Sequence, residues 1–393
     1  MNKEVLNTAI QNFINNNLNS DISSLLLKGT AFDTVDTKEI IEQIEAKKKS
    51  ENKLPTWFNT PNIYYPNKLN IEQTSSEITA QYKSQLVSGS SLIDLTGGLG
   101  VDVYYFSKTI KSVTHCEVNS RLSNIASYNF EQLTAFNINT TNEDGLEYLR
   151  NTRKVYDWIY IDPSRRHDIK GKVFYLKDCL PNVTEHIDSL FKYSNNILIK
   201  ASPMLDISVG LSELRFVKEI HIVAINNDVK ELLFILENGY QETIGVKTIN
   251  IRKNTDETFA FNLNEEAHAE ATFGDLQSYL YEPNSAILKS GAFKTVSHKL
   301  KVNKLHKHSH LYTSTELIDF PGRRFKILET IPYNKKLVEK VLKNKKANIS
   351  TRNFTETASQ LKKKFKIKDG GNLYVFFTTN VNNEKIVVLC NKA

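Results

Sequence analysis

Residues 92–102 read Leu92-Ile93-Asp94-Leu95-Thr96-Gly97-Gly98-Leu99-Gly100-Val101-Asp102. An apolar strand ends on an acid, passes through a glycine-rich turn and opens a helix. That layout belongs to the first strand of an open α/β sheet, where glycine lets backbone approach a ligand at the strand's carboxyl end. The surrounding sequence continues the rhythm. Short apolar runs at 112–117, 137–141, 158–162 and 197–200 alternate with helical patterns, and two more follow at 219–225 and 231–236. Alternation of this kind predicts a doubly wound, mostly parallel sheet of seven strands. The last two runs lie close enough for an antiparallel closing pair.

The glycine turn discriminates between cofactors. A dinucleotide fingerprint wants Gly-x-Gly-x-x-Gly, and counting from Gly98 places Val103 where the third glycine belongs. S-adenosylmethionine (SAM) needs no diphosphate cradle, and an acid beside the turn suits its methionine ammonium. Asp94, Thr96, Gly97, Gly98 and Gly100 are therefore assigned to the methionine end, and Asp102, which closes the motif, is counted with the cofactor site. Glu117 ends the second strand 23 residues after Asp94, close to the ~20-residue interval at which an acid reaches ribose hydroxyls. Asp144, in Asn142-Glu143-Asp144-Gly145-Leu146, follows the third strand and is assigned to the adenine amino group. Each acid alone also fits a surface carboxylate or a helix cap. Three at successive strand ends mark one ligand-binding edge.

The fourth strand ends Asp162-Pro163-Ser164-Arg165-Arg166. An Asp-Pro there fixes a carboxylate at the active edge, in the place of the Asp-Pro-Pro-Tyr signature of amine-directed methyltransferases. A nitrogen attacking a sulfonium methyl becomes partly positive, and a positioned carboxylate stabilises its N–H groups. Asp162 and Pro163 are the expected catalytic pair. Ser164 replaces the second proline and Arg165 the stacking aromatic, which weakens an assignment to nitrogen. Arg165 and Arg166 are expected to bind substrate through a phosphate or carboxylate, the alternative being surface arginines. Glu72, Gln73, Ser76 and Glu77 share a face if residues 70–77 form one helix, so Gln73 and Ser76 are added as substrate-binding residues. A solvated polar face would look the same.

Composition bounds the class. Of 393 residues, 40% are hydrophobic and 24% charged, which excludes a disordered or fibrous chain. No run approaches the ~18 apolar residues of a membrane span, and residues 1–8 lack a signal-peptide core, so a cytoplasmic protein is expected. Three scattered cysteines argue against disulfides or a cysteine-based zinc site. Cys179 reads as a buried thiol, not a nucleophile. The net charge of +7 is uneven: residues 289–368 hold 21 Lys and Arg against 5 Asp and Glu. Such an excess points to a polyanion, most often nucleic acid, with Lys362, Lys363 and Lys364 as phosphate contacts or a solvated face. His306, His308 and His310 alternate as on a strand, but no carboxylate or cysteine accompanies them at ligand spacing, so no metal is expected.

Taken together, these segments resemble one family. Residues 72–80 precede the glycine turn; Asp162-Pro163-Ser164-Arg165-Arg166 and Lys200-Ala201-Ser202-Pro203-Met204-Leu205-Asp206 follow it. Further on, Ala271-Thr272-Phe273-Gly274-Asp275 through Tyr281-Glu282-Pro283, then Ser309-His310-Leu311-Tyr312, Phe320-Pro321-Gly322-Arg323 and Thr351-Arg352-Asn353-Phe354 complete the pattern. The chain resembles bacterial class I SAM-dependent methyltransferases with a ferredoxin-like insert and a THUMP-like C-terminal domain. The resemblance covers about residues 50–393, with Ser164 a small departure where alanine is usual. Apolar residues at helical spacing predict a helical region over 1–90; the resemblance implies a Rossmann-like SAM-binding domain over 91–245, and ferredoxin-like and THUMP-like α+β domains over 246–320 and 321–393. It also implies methylation of a base in tRNA or rRNA. The competing readings are methylation of a small molecule or protein, and a non-catalytic RNA-binding protein with a degenerate cofactor site.

Overall fold

The computed structural model describes residues 1–165 and 174–393. The decisive stretch forms β1 (Ser91–Asp94), whose Leu92 and Ile93 are fully buried. β2 (Ser112–Cys116), β3 (Ile138–Thr141), β4 (Trp158–Ile161) and β5 (Asn196–Ala201) follow, each parallel to its neighbours in the order β5-β4-β1-β2-β3. Helices alternate with them, and Asn119, Asp144 and Asn182 cap three of these through side-chain oxygens that accept from the first turn. The direction of winding reverses between β1 and β4. Ligands of open α/β sheets bind at such a switch point, outside the carboxyl ends of the strands.

The sheet then extends. β6 (Val217–Ile225) and β7 (Asp228–Glu237) are joined by Asn226 and Asn227, both at positive φ. A two-residue turn of that kind matches strand twist and makes a tight antiparallel hairpin, as expected for the closing pair. β8 (Gly245–Ile251) lies parallel to β6, and β9 (Glu257–Asn262) runs antiparallel to β8. The complete order is β9-β8-β6-β7-β5-β4-β1-β2-β3, nine strands where seven were expected. Residues 245–262, read from sequence as the start of an accessory region, are the two added strands. Val246, Phe259 and Phe261 bury on them, and alternation alone does not say which sheet a strand joins.

The N-terminal region is helical. Helix Thr37–Lys53, capped by Asp36, buries Ile40, Ile41 and Ile44, and Pro55 opens the next helix at its first position. Helix Ile22–Lys28 buries nothing, and Leu27 is 89% exposed. Residues 70–77 are not one helix. Helix Lys68–Gln73 stops at Thr74, and Ser76, in extended backbone, caps a new helix Glu77–Ser84 by accepting from the Thr79 N–H. Gln73, Ser76 and Glu77 therefore do not share the continuous face that spacing predicts, because hydroxyl side chains here compete for the backbone.

By its internal contacts the chain divides into two compact units, Met1–Val217 with Phe234–Tyr240, and Lys218–Leu233 with Gln241–Ala393. The second unit holds β10 (Tyr279–Pro283), β11 (Asn303–Lys304), β12 (Tyr312–Ser314), β13 (Gly322–Pro332), β14 (Asn348–Thr351), β15 (Tyr374–Thr379) and β16 (Lys385–Lys392). They form one sheet ordered β11-β12-β10-β13-β16-β15-β14. β13 pairs with β10 over its first residues and with β16 along most of its length. β15 and β16 make the hairpin expected across residues 380–384. No helix among the described residues is long and apolar enough to cross a membrane.

Candidate cofactor and active site

Asp94 ends β1 and is 2% exposed. Its Oδ1 accepts from the Thr96 N–H at 2.8 Å and from the Thr96 hydroxyl at 3.0 Å. That same hydroxyl oxygen accepts from the N–H of Asp162 at 2.7 Å. Asp162 lies just past β4, and its Oδ2 sits 2.5 Å from the Lys200 ammonium on β5. A continuous chain, Asp94–Thr96–Asp162–Lys200, thus crosses the carboxyl ends of three neighbouring strands. Burial drives the Asp94 carboxyl well above the ordinary carboxylate range; nearby Asp102 and Asp162 add to that, while the two Thr96 donors oppose it. A buried acid in that state gains most from a cationic ligand.

Glu117, one residue past β2, holds the glycine turn. Its Oε2 accepts from the Gly98 N–H at 2.8 Å and its Oε1 from the Asn119 N–H at 2.7 Å. Each oxygen keeps acceptor capacity for a hydroxyl. A side chain at Gly97 would sit 2.3 Å from the buried His115 ring, and one at Gly100 2.2 Å from Phe130, so both glycines are there for packing. Gly98, at φ +56, meets nothing closer than 3.9 Å, and its face is the one left open at the turn. Asp144 caps helix Gly145–Thr152, its Oδ1 accepting from Leu146 and Glu147.

Asp102, counted with the cofactor site from its place in the motif, spends both oxygens inside the protein. Oδ2 accepts from the hydroxyls of Ser75 and Tyr160, each at 2.8 Å, and Oδ1 lies 3.1 Å from the wholly buried Lys83 ammonium. Burial pushes its carboxyl up, yet Lys83, Lys200 and the two hydroxyls outweigh that and leave it below the ordinary range. The network ties residues 75 and 83 to β4 and so positions the turn.

Pro163 is buried, and Ser164 and Arg165 pair antiparallel with Cys179 and Leu180. The Arg165 guanidinium lies 5.7 Å from the Phe174 ring. Arg166 lies outside the described residues. Gln73 is exposed at the end of its helix. Burial pushes the Cys179 thiol up to about 11, which suits a structural thiol and not a thiolate nucleophile. His306, His308 and His310 lie on a turn, not a strand, and among the described residues no group of three or more His, Cys, Asp or Glu is arranged to hold a metal. Of the three lysines at 362–364, Lys362 pairs with Asp369 and Lys364 with Glu356, leaving Lys363 as an exposed cation.

Sequence reasoning missed several positioning residues. Lys200, at the end of the fifth strand, is placed by sequence at the active edge, but its partner Asp162 is not legible there. Lys83 and Ser75 gave no signal. Gly145 stands in the motif read for Asp144, and a side chain there would come within 2.6 Å of the Leu95 backbone.

Strand order, switch point and glycine turn define the class: a Rossmann-like class I methyltransferase fold. Residues 279–321 match a ferredoxin-like domain and residues 322–392 a THUMP domain-like family. A crystal structure of a candidate methyltransferase from Porphyromonas gingivalis W83 matches at 33% identity over 100% of this chain and 98% of the other, with a TM-score of 0.89. The chain belongs to this family, the bacterial class I SAM-dependent methyltransferases with ferredoxin-like and THUMP-like domains. Two other structures are far more distant. A modification subunit of a candidate type I restriction enzyme from Vibrio vulnificus YJ016 shares 10% identity over 51% of this chain and 57% of its own, with a TM-score of 0.35. An rRNA methylase from Streptococcus thermophilus shares 15% over 42% and 95%, with a TM-score of 0.31. Neither carries weight here. No curated protein matches the sequence.

Proposed function

We propose that this chain is a SAM-dependent methyltransferase that methylates a base in tRNA or rRNA. The observation that carries the reading is the chain Asp94–Thr96–Asp162–Lys200, which joins a buried acid at the glycine turn to the Asp-Pro corner. The residues fit the cofactor: Asp94 has an oxygen that no described residue engages, Gly98 presents an open face, and Glu117 keeps acceptor capacity. Bound SAM supplies an electrophilic sulfonium methyl. Asp94 and the turn would hold its methionine end, Glu117 the ribose and Asp144 the adenine amino group. Asp162, backed by Pro163, accepts N–H hydrogen bonds from the attacking group and fixes its approach. Lys200, in contact with its Oδ2, orients the Asp162 carboxylate. Arg165, with Arg166, is assigned to a substrate phosphate. RNA as substrate is supported by the THUMP-like domain and by the basic excess over residues 289–368.

One observation favours a second reading. Arg165 stands where a base-stacking aromatic is usual, and Lys200 neutralises Asp162, a pairing that also suits an anionic small molecule or protein carboxylate. The test is tritium transfer from labelled SAM to total RNA from a strain lacking this gene. Label in a discrete RNA band, lost with Asp162→Ala, is the expected result. SAM binding by calorimetry without RNA labelling would favour the second reading. No SAM binding would leave the non-catalytic RNA-binding reading.

A further inference from the structure

Three of the quoted segments converge in the second unit. Glu282 on β10 is 4% exposed. Its Oε2 accepts from Arg323 Nε at 2.5 Å and also contacts Arg323 Nη2, while its Oε1 lies 2.5 Å from Arg352 Nη2. Arg323 Nη2 donates to the Ser350 hydroxyl at 3.2 Å, and Arg352 Nη1 to the Thr351 carbonyl at 2.7 Å. The Arg323 guanidinium also lies 5.5 Å from the Phe325 ring and 5.6 Å from Phe376. Two guanidiniums side by side therefore share a single carboxylate.

That arrangement is more than a structural tie requires. One arginine satisfies a buried carboxylate; the second leaves a positive charge without a counter-ion. Both arginine side chains are about a third exposed, at 33% and 36%. Arg323 Nη1 and Arg352 Nε bond no described residue, so each guanidinium keeps a donating edge. The surroundings add positive charge. Lys304 is buried and donates to the carbonyls of His306 and Lys307 at 2.9 and 2.6 Å. His306 Nδ1 accepts from Asn353 at 2.9 Å and from the His308 N–H at 3.1 Å, which fastens the histidine turn beside Arg352. His310 stacks on Phe293 at 3.6 Å with its Nδ1 buried and unpartnered. Burial, then Lys304, His308 and Arg352, push His310 down to about 4.

We propose that Arg323 and Arg352, oriented by Glu282, form a binding site for a phosphate of the RNA backbone. Guanidinium forks match phosphate oxygens in a way a lysine point charge does not. The proposal rests on the RNA reading above and names where in the second unit the polyanion is gripped.

The test is fluorescence anisotropy of the full chain with a short labelled single-stranded oligoribonucleotide across a salt series, with thermal unfolding of each variant as a fold check. Arg352→Gln is expected to lower affinity about tenfold at low salt and to reduce the slope of log K against log salt by about 0.7. Arg352→Lys keeps the charge against Glu282 and so the fold; it should hold the slope while losing affinity. Folded variants that bind RNA with wild-type affinity and slope would overturn the site. Inorganic phosphate is the second arm. Phosphate binding that is lost in Arg352→Gln while RNA binding is unchanged would assign the pair to a free phosphate compound and overturn the RNA assignment. RNA binding through this pair without methyl transfer would leave the site standing and sink the methylation reading alone.

Discussion

In the first unit Asp94, Glu117, Asp144 and Asp162 gather at the ends of parallel strands, while in the second two guanidiniums close on one carboxylate between antiparallel strands. Both arrangements concentrate one sign of charge at a place the backbone fixes. They differ in what neutralises it. At the parallel edge Asp94, Glu117 and Asp144 are restrained by the protein's own amides and hydroxyls, and among the described residues Asp162 alone of the four has a cation in contact. At the antiparallel cluster the resident acid is already saturated and the cations are in surplus. The first is built to receive positive charge, the second negative charge. A parallel sheet suits the former because its strands all end on one side; an antiparallel sheet brings side chains from distant segments opposite one another, as it does Glu282 and Arg323.

The sharpest way to break the comparison is Asp94→Asn. Removing one partner of a buried charge pair costs about 2–5 kcal/mol, so SAM affinity should fall by roughly two orders of magnitude in calorimetry, with the oligoribonucleotide affinity of the full chain unchanged. An equal loss of both would mean the acids and arginines are not separate devices. Comparable in size, but read in stability, is Lys83→Met, which leaves Asp102 buried without its cation. Urea unfolding should show a loss of about 3–5 kcal/mol. Because the Asp102 carboxyl lies below its unfolded value, its contribution is present at neutral pH and fades as pH falls through its folded titration, and the difference between wild type and Lys83→Met should shrink with it.

Asp94 has the opposite sign. Its folded-state value is raised above the unfolded 3.8, so the folded chain holds the proton longer and stability is lost as pH rises through that window. Asp94→Asn should therefore melt higher than wild type at pH 8, and the gap should close toward pH 4. A variant more stable yet unable to bind SAM would show the strain of an acid kept for a ligand; one less stable would make Asp94 a structural residue. The smallest expected effect is at Lys364, an exposed pair with Glu356. Lys364→Ala should change stability by less than about 1 kcal/mol, and a larger shift in RNA salt slope than that of Arg352→Gln would move the anion contact to this helix.

Much of the first unit was legible because its signals are local. A strand, an acid and a glycine turn lie within eleven residues, and Asp162-Pro163 marks its corner without help from elsewhere. What could not be read is what depends on partners far along the chain. Asp102 belongs to the same motif as Asp94, yet a lysine nineteen residues earlier turns it inward. Residues 245–262 alternate like any half-buried strand, and nothing local states that they extend the first sheet. Ser76 is as compatible with a helix face as with a helix cap until Thr79 donates to it. Charge surplus over residues 289–368 was plain, but which cations are already paired was not: Lys362 and Lys364 are, and the arginines selected only as family motifs proved to be the clustered ones.

β13 carries a consequence for anyone who would cut this protein apart. The two domain families meet between residues 321 and 322, at the first residue of that strand, yet the strand is stitched to β10 on one flank and β16 on the other. A seam in ancestry is thus not a seam in mechanics. The fragment from 322 onward would carry a bare row of amides along the start of β13, ready to recruit a foreign strand, and would leave Arg323 and Arg352 without Glu282. The ferredoxin-like and THUMP-like parts share one continuous sheet, so a cut at that boundary severs the strand pairing on which both depend.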